Sequence, residues 1–417
     1  MTSNLLQRAE ILIQQQRYAE AERILNEVLS SDPNDIHTLL LLAEVNLQLN
    51  QVQKADDLID TAIGISPDSA YLFFTKARIA LHKDKYDVAE KNIQQALELD
   101  PADADYYALW ASIKLTRKQF DPALELANRS LELDPQNLLG LNTRSTALLK
   151  LDKAEESFKT IEGALREDPN NAYTHANYGW NLLEKGDHKK ALEHFREALK
   201  NDPNSSYAQA GTVEALKANN LVYKLFLKYA FWIGNLTAKY QWGVIIGFYA
   251  GSRFLRFIAE KNEGLQPYLN PLIMLLAVVA FSTWIITPVS NLFLRFNKYG
   301  KHLLDKKEKM SANFVGVSLL IFLVGLAAYL ITSEEKYLPV AAFGFAMMVP
   351  CSSMFAPSKY KHSLIIYTAF MALIGVGAVV ETFRSGELYN TLSVVFIYGF
   401  IAFQWAANFL TIKKNNA

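Results

Sequence analysis

The chain has 417 residues, of which 42 are Lys or Arg, 42 are Asp or Glu and 51% are hydrophobic. This length allows two or three domains, and one cysteine, Cys351, excludes an internal disulfide and a cysteine-rich metal site. The net charge of zero conceals two unlike halves. Residues 1–220 have ten more acidic than basic residues, whereas residues 221–417 have ten more basic than acidic residues and nearly all the long apolar runs. The composition predicts an acidic soluble half followed by a basic membrane half.

A proline that follows an acidic or polar residue recurs every 34 residues through the first half. The prolines are at positions 33, 67, 101, 135, 169 and 203, and the residues before them are Asp32, Ser66, Asp100, Asp134, Asp168 and Asp202. Proline cannot continue a helix interior, because it lacks the amide donor and clashes with the preceding turn. These prolines therefore predict breaks between successive helical units.

Small residues recur at three positions of each unit, where they let two helix backbones approach closely. In unit 172–205 these residues are Gly179, Ala191 and Ala198, and larger residues such as Phe195 fill the volume between the helices. The same positions upstream hold Ala9, Ala21 and Val28, then Ala43, Ala55 and Ala62, then Ala77, Ala89 and Ala96, then Ala111, Ala123 and Ser130, and finally Ser145, Ser157 and Ala164. The last of these sets, in unit 138–171, is the least regular and predicts the weakest packing.

Over residues 2–205 this pattern resembles the tetratricopeptide repeat, a pair of antiparallel helices in every 34 residues. The resemblance implies an all-α solenoid of six repeats, wound as a right-handed superhelix whose first helices line a concave groove. Residues 205–220 are expected to form a capping helix, because the last face of a stacked array must be covered. The predicted domains are a capped solenoid over 1–220, an interfacial helix over 221–240 and a membrane domain over 241–417.

The resemblance also implies a function, since proteins of this kind mostly bind an extended or helical peptide in the groove. The candidate groove-lining residues are Tyr71, Phe74, Arg78, Asp105, Asn142, Thr146, Tyr173, Asn177 and Trp180. The alternative is that several of these aromatic residues only pack between neighbouring repeats. Leu6 and Glu10 stand where chaperone-docking domains of this family need lysine and asparagine, which argues against that type of partner.

The second half begins with an amphipathic segment, 221–240, which predicts a helix lying in the membrane interface or docked on the repeats. A bilayer span needs roughly 20 apolar residues. Segments that meet this requirement lie at about 267–292, 311–332, 338–356, 363–381 and 389–411, and a sixth span near 242–259 carries Arg253 and Arg256 at its end. The sequence therefore predicts a bundle of about six transmembrane helices.

The basic residues predict the orientation of this bundle. With the amino terminus in the cytoplasm, thirteen lysines and arginines of the membrane half lie inside and five lie outside. The first residues carry charge and glutamine where a secretory signal needs an apolar run. We therefore expect an integral protein of a bacterial inner membrane, with both termini in the cytoplasm.

Two features of the membrane half have more than one interpretation. Gly243, Gly247 and Gly251 share one helix face and predict close helix packing, preferably within the bundle but alternatively between two copies of the protein. A basic loop between two spans is explained by topology alone or by contact with anionic lipid or an acidic surface. Its basic residues include Arg295, Lys298, Lys301, Lys306, Lys307 and Lys309.

Sequence patterns for chemistry are missing. The seven histidines form no metal-binding motif, no glycine-rich phosphate loop is present, and no cofactor is implied. The acidic first half argues against nucleic acid as a partner. The sequence therefore favours a membrane-anchored adaptor that binds proteins and contacts membrane lipids, not an enzyme. The alternative is a transporter or channel subunit whose repeats are regulatory.

Overall fold

The computed structural model describes residues 2–294, 304–356, 360 and 362–414, and these residues form helices and turns without any β-strand. The chain divides into two compact units, Met1–Tyr178 and Gly179–Ala417. These units do not coincide with the predicted domains, whose boundaries at 220 and 240 stay a prediction. The predicted fold class is confirmed, because helical repeats are followed by long apolar helices.

Twelve helices form six consecutive pairs with the predicted period. They are α1 (Thr2–Gln14), α2 (Tyr18–Ser31), α3 (Ile36–Gln48), α4 (Val52–Ile65), α5 (Ala70–His82), α6 (Tyr86–Leu99), α7 (Ala104–Thr116), α8 (Phe120–Leu133), α9 (Leu138–Lys150), α10 (Ala154–Glu167), α11 (Ala172–Glu184) and α12 (His188–Asn201). Each of the six prolines lies between the second helix of one pair and the next helix along the chain. The prolines therefore separate the repeats, as the sequence predicts.

The turn inside each pair contains one residue with left-handed backbone geometry, again at an interval of 34. These residues are Gln16, Asn50, Asp84, Lys118 and Asp152, with φ between 55° and 60°, and Gly186, with φ of 88°. A left-handed residue after a helix allows the last carbonyl groups to be capped, and glycine adopts this geometry without a Cβ penalty. Only the sixth pair uses glycine at this position.

The small residues at the repeated positions are fully or almost fully buried, which confirms their role in helix packing. In the irregular repeat, the buried Ser145 hydroxyl donates to the Ser157 backbone carbonyl at 3.0 Å, and the two hydroxyl oxygens are 3.1 Å apart. These serines replace an apolar contact by hydrogen bonds and remain inaccessible to solvent. These two positions are therefore closely packed, and the expectation that unit 138–171 has the weakest packing of the array stays a prediction.

Among the described residues, the second unit continues with eight further helices. They are α13 (Ser206–Lys217), α14 (Leu221–Asn235), α15 (Ala238–Lys261), α16 (Gln266–Leu294), α17 (Lys306–Thr332), α18 (Leu338–Ser353), α19 (Ser363–Ser385) and α20 (Thr391–Lys414). Within the described residues, four segments are long and apolar enough to cross a bilayer: Glu263–Leu294, Lys306–Thr332, Ser363–Ser385 and Thr391–Leu410. They correspond to four of the six predicted spans.

The other two predicted spans are helical as well. Helix α15 contains 24 residues but carries charged residues near both ends. Helix α18 has 16 residues, a length of about 24 Å at 1.5 Å per residue. This is shorter than the hydrocarbon core of a bilayer. Whether α15 and α18 cross the membrane therefore stays a prediction.

Helix α18 lies against α17 at very short range. A Cβ atom built on Gly344 would be 2.4 Å from the Phe322 backbone nitrogen, and one built on Gly325 would be 2.5 Å from the Ala341 backbone nitrogen. Helices in a membrane associate through such small residues, because lipid offers no hydrophobic drive to bring them together. This pair of glycines, which the sequence analysis did not single out, fixes the approach of α17 and α18.

Helix α13 occupies the position predicted for the capping helix. Its Val213 and Leu216 pack with Leu294, at the end of α16, and with Leu304, just before α17. Val213, Leu294 and Leu304 are each less than 7% exposed. The face of α13 that carries Val213 is therefore covered by residues that flank the apolar helices.

Candidate protein-binding groove

Neighbouring first helices of the repeats are connected by side chains that extend from one to the next. Tyr71 on α5 donates to Glu44 Oε1 on α3 at 3.4 Å, and Arg78 Nη1 donates to the same oxygen at 2.9 Å. Glu44 and Arg78 occupy the same position in adjacent repeats, 34 residues apart. This shared carboxylate aligns one edge of α5 against α3.

An aromatic–arginine cluster, defined as Tyr71, Phe74, Arg78 and Tyr106, extends from this contact. The Phe74 ring lies 5.7 Å from the Tyr71 ring and 5.1 Å from the Tyr106 ring, measured between centroids. The Arg78 guanidinium lies 5.7 Å from the Phe74 centroid, within the range of a cation–π contact. Tyr71 is 44% exposed whereas Tyr106 is 3% exposed. The cluster therefore has a buried base and an accessible rim.

Both phenols of the cluster have a pKa above the usual value for tyrosine, so both are neutral at physiological pH. Burial, followed by the charges of Asp103 and Asp100, raises the pKa of Tyr106 to about 12. Burial and then the Glu44 carboxylate raise the pKa of Tyr71 above its usual value. A neutral phenol can both donate and accept a hydrogen bond. Because the Tyr71 hydroxyl donates to Glu44, the rim offers a peptide an aromatic face and a hydroxyl oxygen that can accept a hydrogen bond.

Two other candidate residues are accessible in this unit. Asp105, at the start of α7, is exposed and accepts a hydrogen bond from Asn137 Nδ2 at 2.6 Å. Tyr173, at the start of α11, is 54% exposed. Both occupy the repeat position of Tyr71, one and three repeats further along the chain.

Three candidates, Asn142, Thr146 and Asn177, form a polar ladder together with Thr174 between α9 and α11. Asn142 Nδ2 donates to Thr174 Oγ1 at 2.9 Å, and Asn177 Nδ2 donates to Asn142 Oδ1 at 3.1 Å. Thr146 Oγ1 donates to Asn177 Oδ1 at 3.2 Å. Asn142 and Asn177 are only 2% and 5% exposed. Their amides join the two helices, so little of either side chain is left for a partner.

Glu44 and Tyr106 complete the site, although the sequence analysis did not include them. Glu44 could have been found by comparing repeats, because it lies one period before Arg78 and has the opposite charge. Tyr106 is buried under Phe74, and no pattern in the sequence distinguishes it from an ordinary core residue.

Comparison with known protein families agrees with this geometry. Three family models, each described as tetratricopeptide repeat, match residues 12–79, 74–137 and 172–205. The first half of the chain is an array of tetratricopeptide repeats. No family model matches the apolar second half, and no curated protein matches the chain.

Several solved structures of tetratricopeptide repeat proteins resemble the array. One from Parabacteroides merdae is 17% identical over 52% of this chain and 84% of its own, with a TM-score of 0.47. The type IV pilus biogenesis factor PilW is 19% identical over 50% of this chain and 97% of its own, with a TM-score of 0.42. YrrB, described as having an unusual peptide-binding site, is 18% identical over 45% of this chain and 96% of its own, with a TM-score of 0.31.

Trp180, the last groove candidate of the repeat array, belongs to the second compact unit and is packed against that unit's own helices. Its ring stacks on Tyr207 of α13 at 5.7 Å and meets Phe195 and Phe231 edge-on at 5.8 Å and 6.2 Å. Its indole nitrogen donates to the Tyr207 carbonyl at 3.2 Å. These contacts favour the alternative interpretation for this residue, that it packs between neighbouring helices.

Helix α14 follows the repeats and has two unlike faces. Tyr223 and Leu227 are buried, whereas Leu221, Leu225 and Trp232 are each more than half exposed. The predicted segment 221–240 is not one helix, because α14 ends at Asn235 and α15 begins at Ala238. The exposed apolar face is typical of a helix at a membrane interface, a placement that stays a prediction.

The glycine face of α15 contacts no other helix among the described residues. No described atom lies within 4 Å of a Cβ built on Gly243, Gly247 or Gly251. Packing of these glycines against other helices of the bundle, the preferred expectation, is not seen among the described residues and stays a prediction. The alternative contact between two copies of the protein stays a prediction.

The basic loop is described only in part. Lys306, Lys307 and Lys309 lie in the first turns of α17, where Asp305 and Glu308 form a capping box. Lys306 and Lys307 are exposed. The other three basic residues, Arg295, Lys298 and Lys301, lie outside the described residues.

Proposed function

We propose that the protein is a membrane-anchored adaptor that binds a protein partner in the groove of its tetratricopeptide repeats. The aromatic–arginine cluster is the observation that carries this proposal. It combines the exposed Tyr71 ring, the half-buried Phe74 ring and a guanidinium on one face of the repeat array. Aromatic and arginine side chains of this kind dominate the binding energy of protein interfaces.

Anchoring is supported by the four apolar helices of the second unit. Their outward side chains include Met274, Ile331 and Leu373, each more than 70% exposed. Exposing such an apolar surface to water would cost free energy, whereas lipid tails would cover it. We propose that these helices hold the repeat array beside a bilayer.

The chemistry of the rim also limits the partner. Arg78 already pairs with Glu44, and Tyr71 donates to the same carboxylate, so the cluster presents little unpaired positive charge. Asp105 adds an exposed carboxylate on the next repeat. We propose that the partner is a peptide with an apolar or aromatic anchor and not an acidic peptide.

Site-specific photo-crosslinking in cells tests this function. A photoreactive phenylalanine analogue at Tyr71 is expected to give a crosslinked protein adduct, whereas the same analogue at Ile65 is not. Ile65 is a matched control because it is 40% exposed and ends α4, a second helix of its repeat. Replacing Tyr173 with alanine should weaken the adduct formed at Tyr71.

Equal adducts at both positions, or no adduct at Tyr71, would show that the partner does not bind in the groove. Mass spectrometry of the adduct identifies the partner. Intact membrane insertion of each variant, measured by resistance to alkaline extraction, shows that only the groove has been changed.

The side of the membrane is proposed from charge. The basic residues of the membrane half favour a cytoplasmic repeat array in a bacterial inner membrane. Reporter fusions after residues 220 and 414 are expected to be active as cytoplasmic reporters and inactive as periplasmic ones. The reverse result at either position would overturn the orientation.

A further inference from the structure

A cavity of about 420 Å³ lies within the second unit, between α15, α16, α18 and α20. Its walls are mainly apolar and include Phe281, Trp284 and Phe345. Phe281 and Phe345 stack face to face at 3.9 Å between centroids. Along α16 the lining extends from Ile273 to Trp284, a distance of about 16 Å at the rise of an α-helix. The cavity is therefore a long, apolar slot.

Among the residues that the structure describes, one charged side chain lines this slot. Arg256 lies five residues before the end of α15, and among the described residues it pairs with no acidic side chain. Arg253 is on the same helix, is also exposed, and does not line the cavity. A cation beside hydrocarbon is costly unless an anion or a headgroup region satisfies it. The slot is therefore positively charged at one end and apolar along the rest of its wall.

The remaining polar groups are few. The Ser252 hydroxyl donates to the Tyr249 carbonyl at 2.8 Å, so its proton is already used. Gln404 lines the slot from α20 and forms no hydrogen bond with another described residue. A sugar, nucleotide or hydrated ion would need more polar partners than these side chains provide.

We infer that the slot binds an anionic phospholipid, with one acyl chain along the apolar wall and the phosphate on Arg256. The length of the slot suits an extended hydrocarbon chain, and the position of Arg256 near the end of α15 suits a headgroup. Basic pockets between membrane helices bind acidic headgroups by this combination of charge and apolar surface. The inference does not depend on the function of the repeat groove.

Native mass spectrometry of the full-length protein tests the site. After delipidation in detergent, the protein is titrated with dioleoyl phosphatidylglycerol and, separately, with dioleoyl phosphatidylcholine. We expect the first phosphatidylglycerol molecule to bind roughly five-fold more tightly than the first phosphatidylcholine molecule. This is the factor that one basic residue contributes at an anionic surface. Arg256→Gln should abolish this preference, and Arg253→Gln should retain it.

A second measurement places the chain inside the slot. Phosphatidylglycerol brominated on its acyl chains should quench tryptophan emission, and part of this quenching should disappear in Trp284→Phe. Ala277 also lines the slot, and Ala277→Phe should fill it and reduce quenching with Arg256 intact. This variant keeps the proposal testable even if Arg256→Gln does not fold.

Equal binding of the two lipids by the wild-type protein would overturn the proposal, as would an unchanged preference in a folded Arg256→Gln variant. Quenching that is the same in wild type, Trp284→Phe and Ala277→Phe would show that lipid only surrounds the bundle. That outcome would also overturn it.

Discussion

Replacing Gly344 with leucine is expected to prevent correct packing of α17 and α18. A Cβ at this position would lie 2.4 Å from the Phe322 backbone nitrogen and 2.8 Å from the Ser318 carbonyl oxygen. Backbone atoms cannot rotate away, so the two helices would have to separate along their contact. We expect a cost of about 3 kcal/mol or more. The measurement is the yield and apparent unfolding temperature of full-length protein in mild detergent.

Gly247→Leu is the matched control for this change. Gly247 is also a helical glycine of the second unit, but no described atom lies within 4 Å of a Cβ built on it. Normal yield and unfolding temperature are expected for this variant. If Gly344→Leu behaved like Gly247→Leu, the close approach of α17 and α18 would be refuted. If Gly247→Leu altered only the self-association of the protein, this result would support a contact between two copies.

Removing the carboxylate of Glu214 is expected to destabilise the junction between α13 and α14. The Lys217 side chain is 1% exposed and its ammonium lies 3.1 Å from Glu214 Oε1. Tyr223, itself 1% exposed, donates its hydroxyl to Glu214 Oε2 at 2.6 Å. Burial, followed by the charge of Glu214, raises the pKa of this phenol above its usual range. Glu214 therefore neutralises one buried cation and accepts from one buried phenol.

Glu214→Leu leaves the Lys217 ammonium buried without its partner. Because Glu214 is itself 24% exposed, we expect a loss of about 2–3 kcal/mol, below the range for a fully buried pair. The measurement is again the unfolding temperature of the full-length protein. The double variant Glu214→Leu, Lys217→Leu should recover much of the loss, because no uncompensated charge remains.

The exposed pair between Glu197 and Lys200 provides the control. Their side chains are 43% and 70% exposed and lie 3.1 Å apart. Glu197→Gln is expected to change stability by less than about 1 kcal/mol. If Glu214→Leu were equally mild, or if the double variant were no better than the single one, the buried pair would not have the role assigned to it.

The repeat array was largely predictable from the sequence because its information is local and periodic. A proline such as Pro101 and a buried alanine such as Ala89 each recur 34 residues apart, and each acts through backbone geometry or volume alone. Asn142 and Asn177 were harder to interpret. The sequence predicts that both side chains line the groove, but the Asn177 amide donates to Asn142 on the neighbouring helix. Only the distance between α9 and α11 in the structure shows that these amides are occupied by hydrogen bonds between the two helices.

The membrane half was less predictable for a related reason. A stripe of glycines predicts close packing but does not identify the neighbour, so Gly243, Gly247 and Gly251 could not be distinguished in advance from Gly325 and Gly344. The slot beside Arg256 depends on four helices that are distant in sequence. Apolar composition identifies such helices one at a time and contains no signal for the space between them.

The contact of Val213 and Leu216 with Leu294 and Leu304 has a practical consequence for anyone who dissects this protein. Cutting the chain at residue 220, where composition suggests a soluble fragment, would strip α13 of the residues that shield it. The apolar side chains of Val213 and Leu216 would then be exposed to water at the end of the array. A freestanding version of the repeats calls for a redesigned final helix, with charged residues in place of Val213 and Leu216.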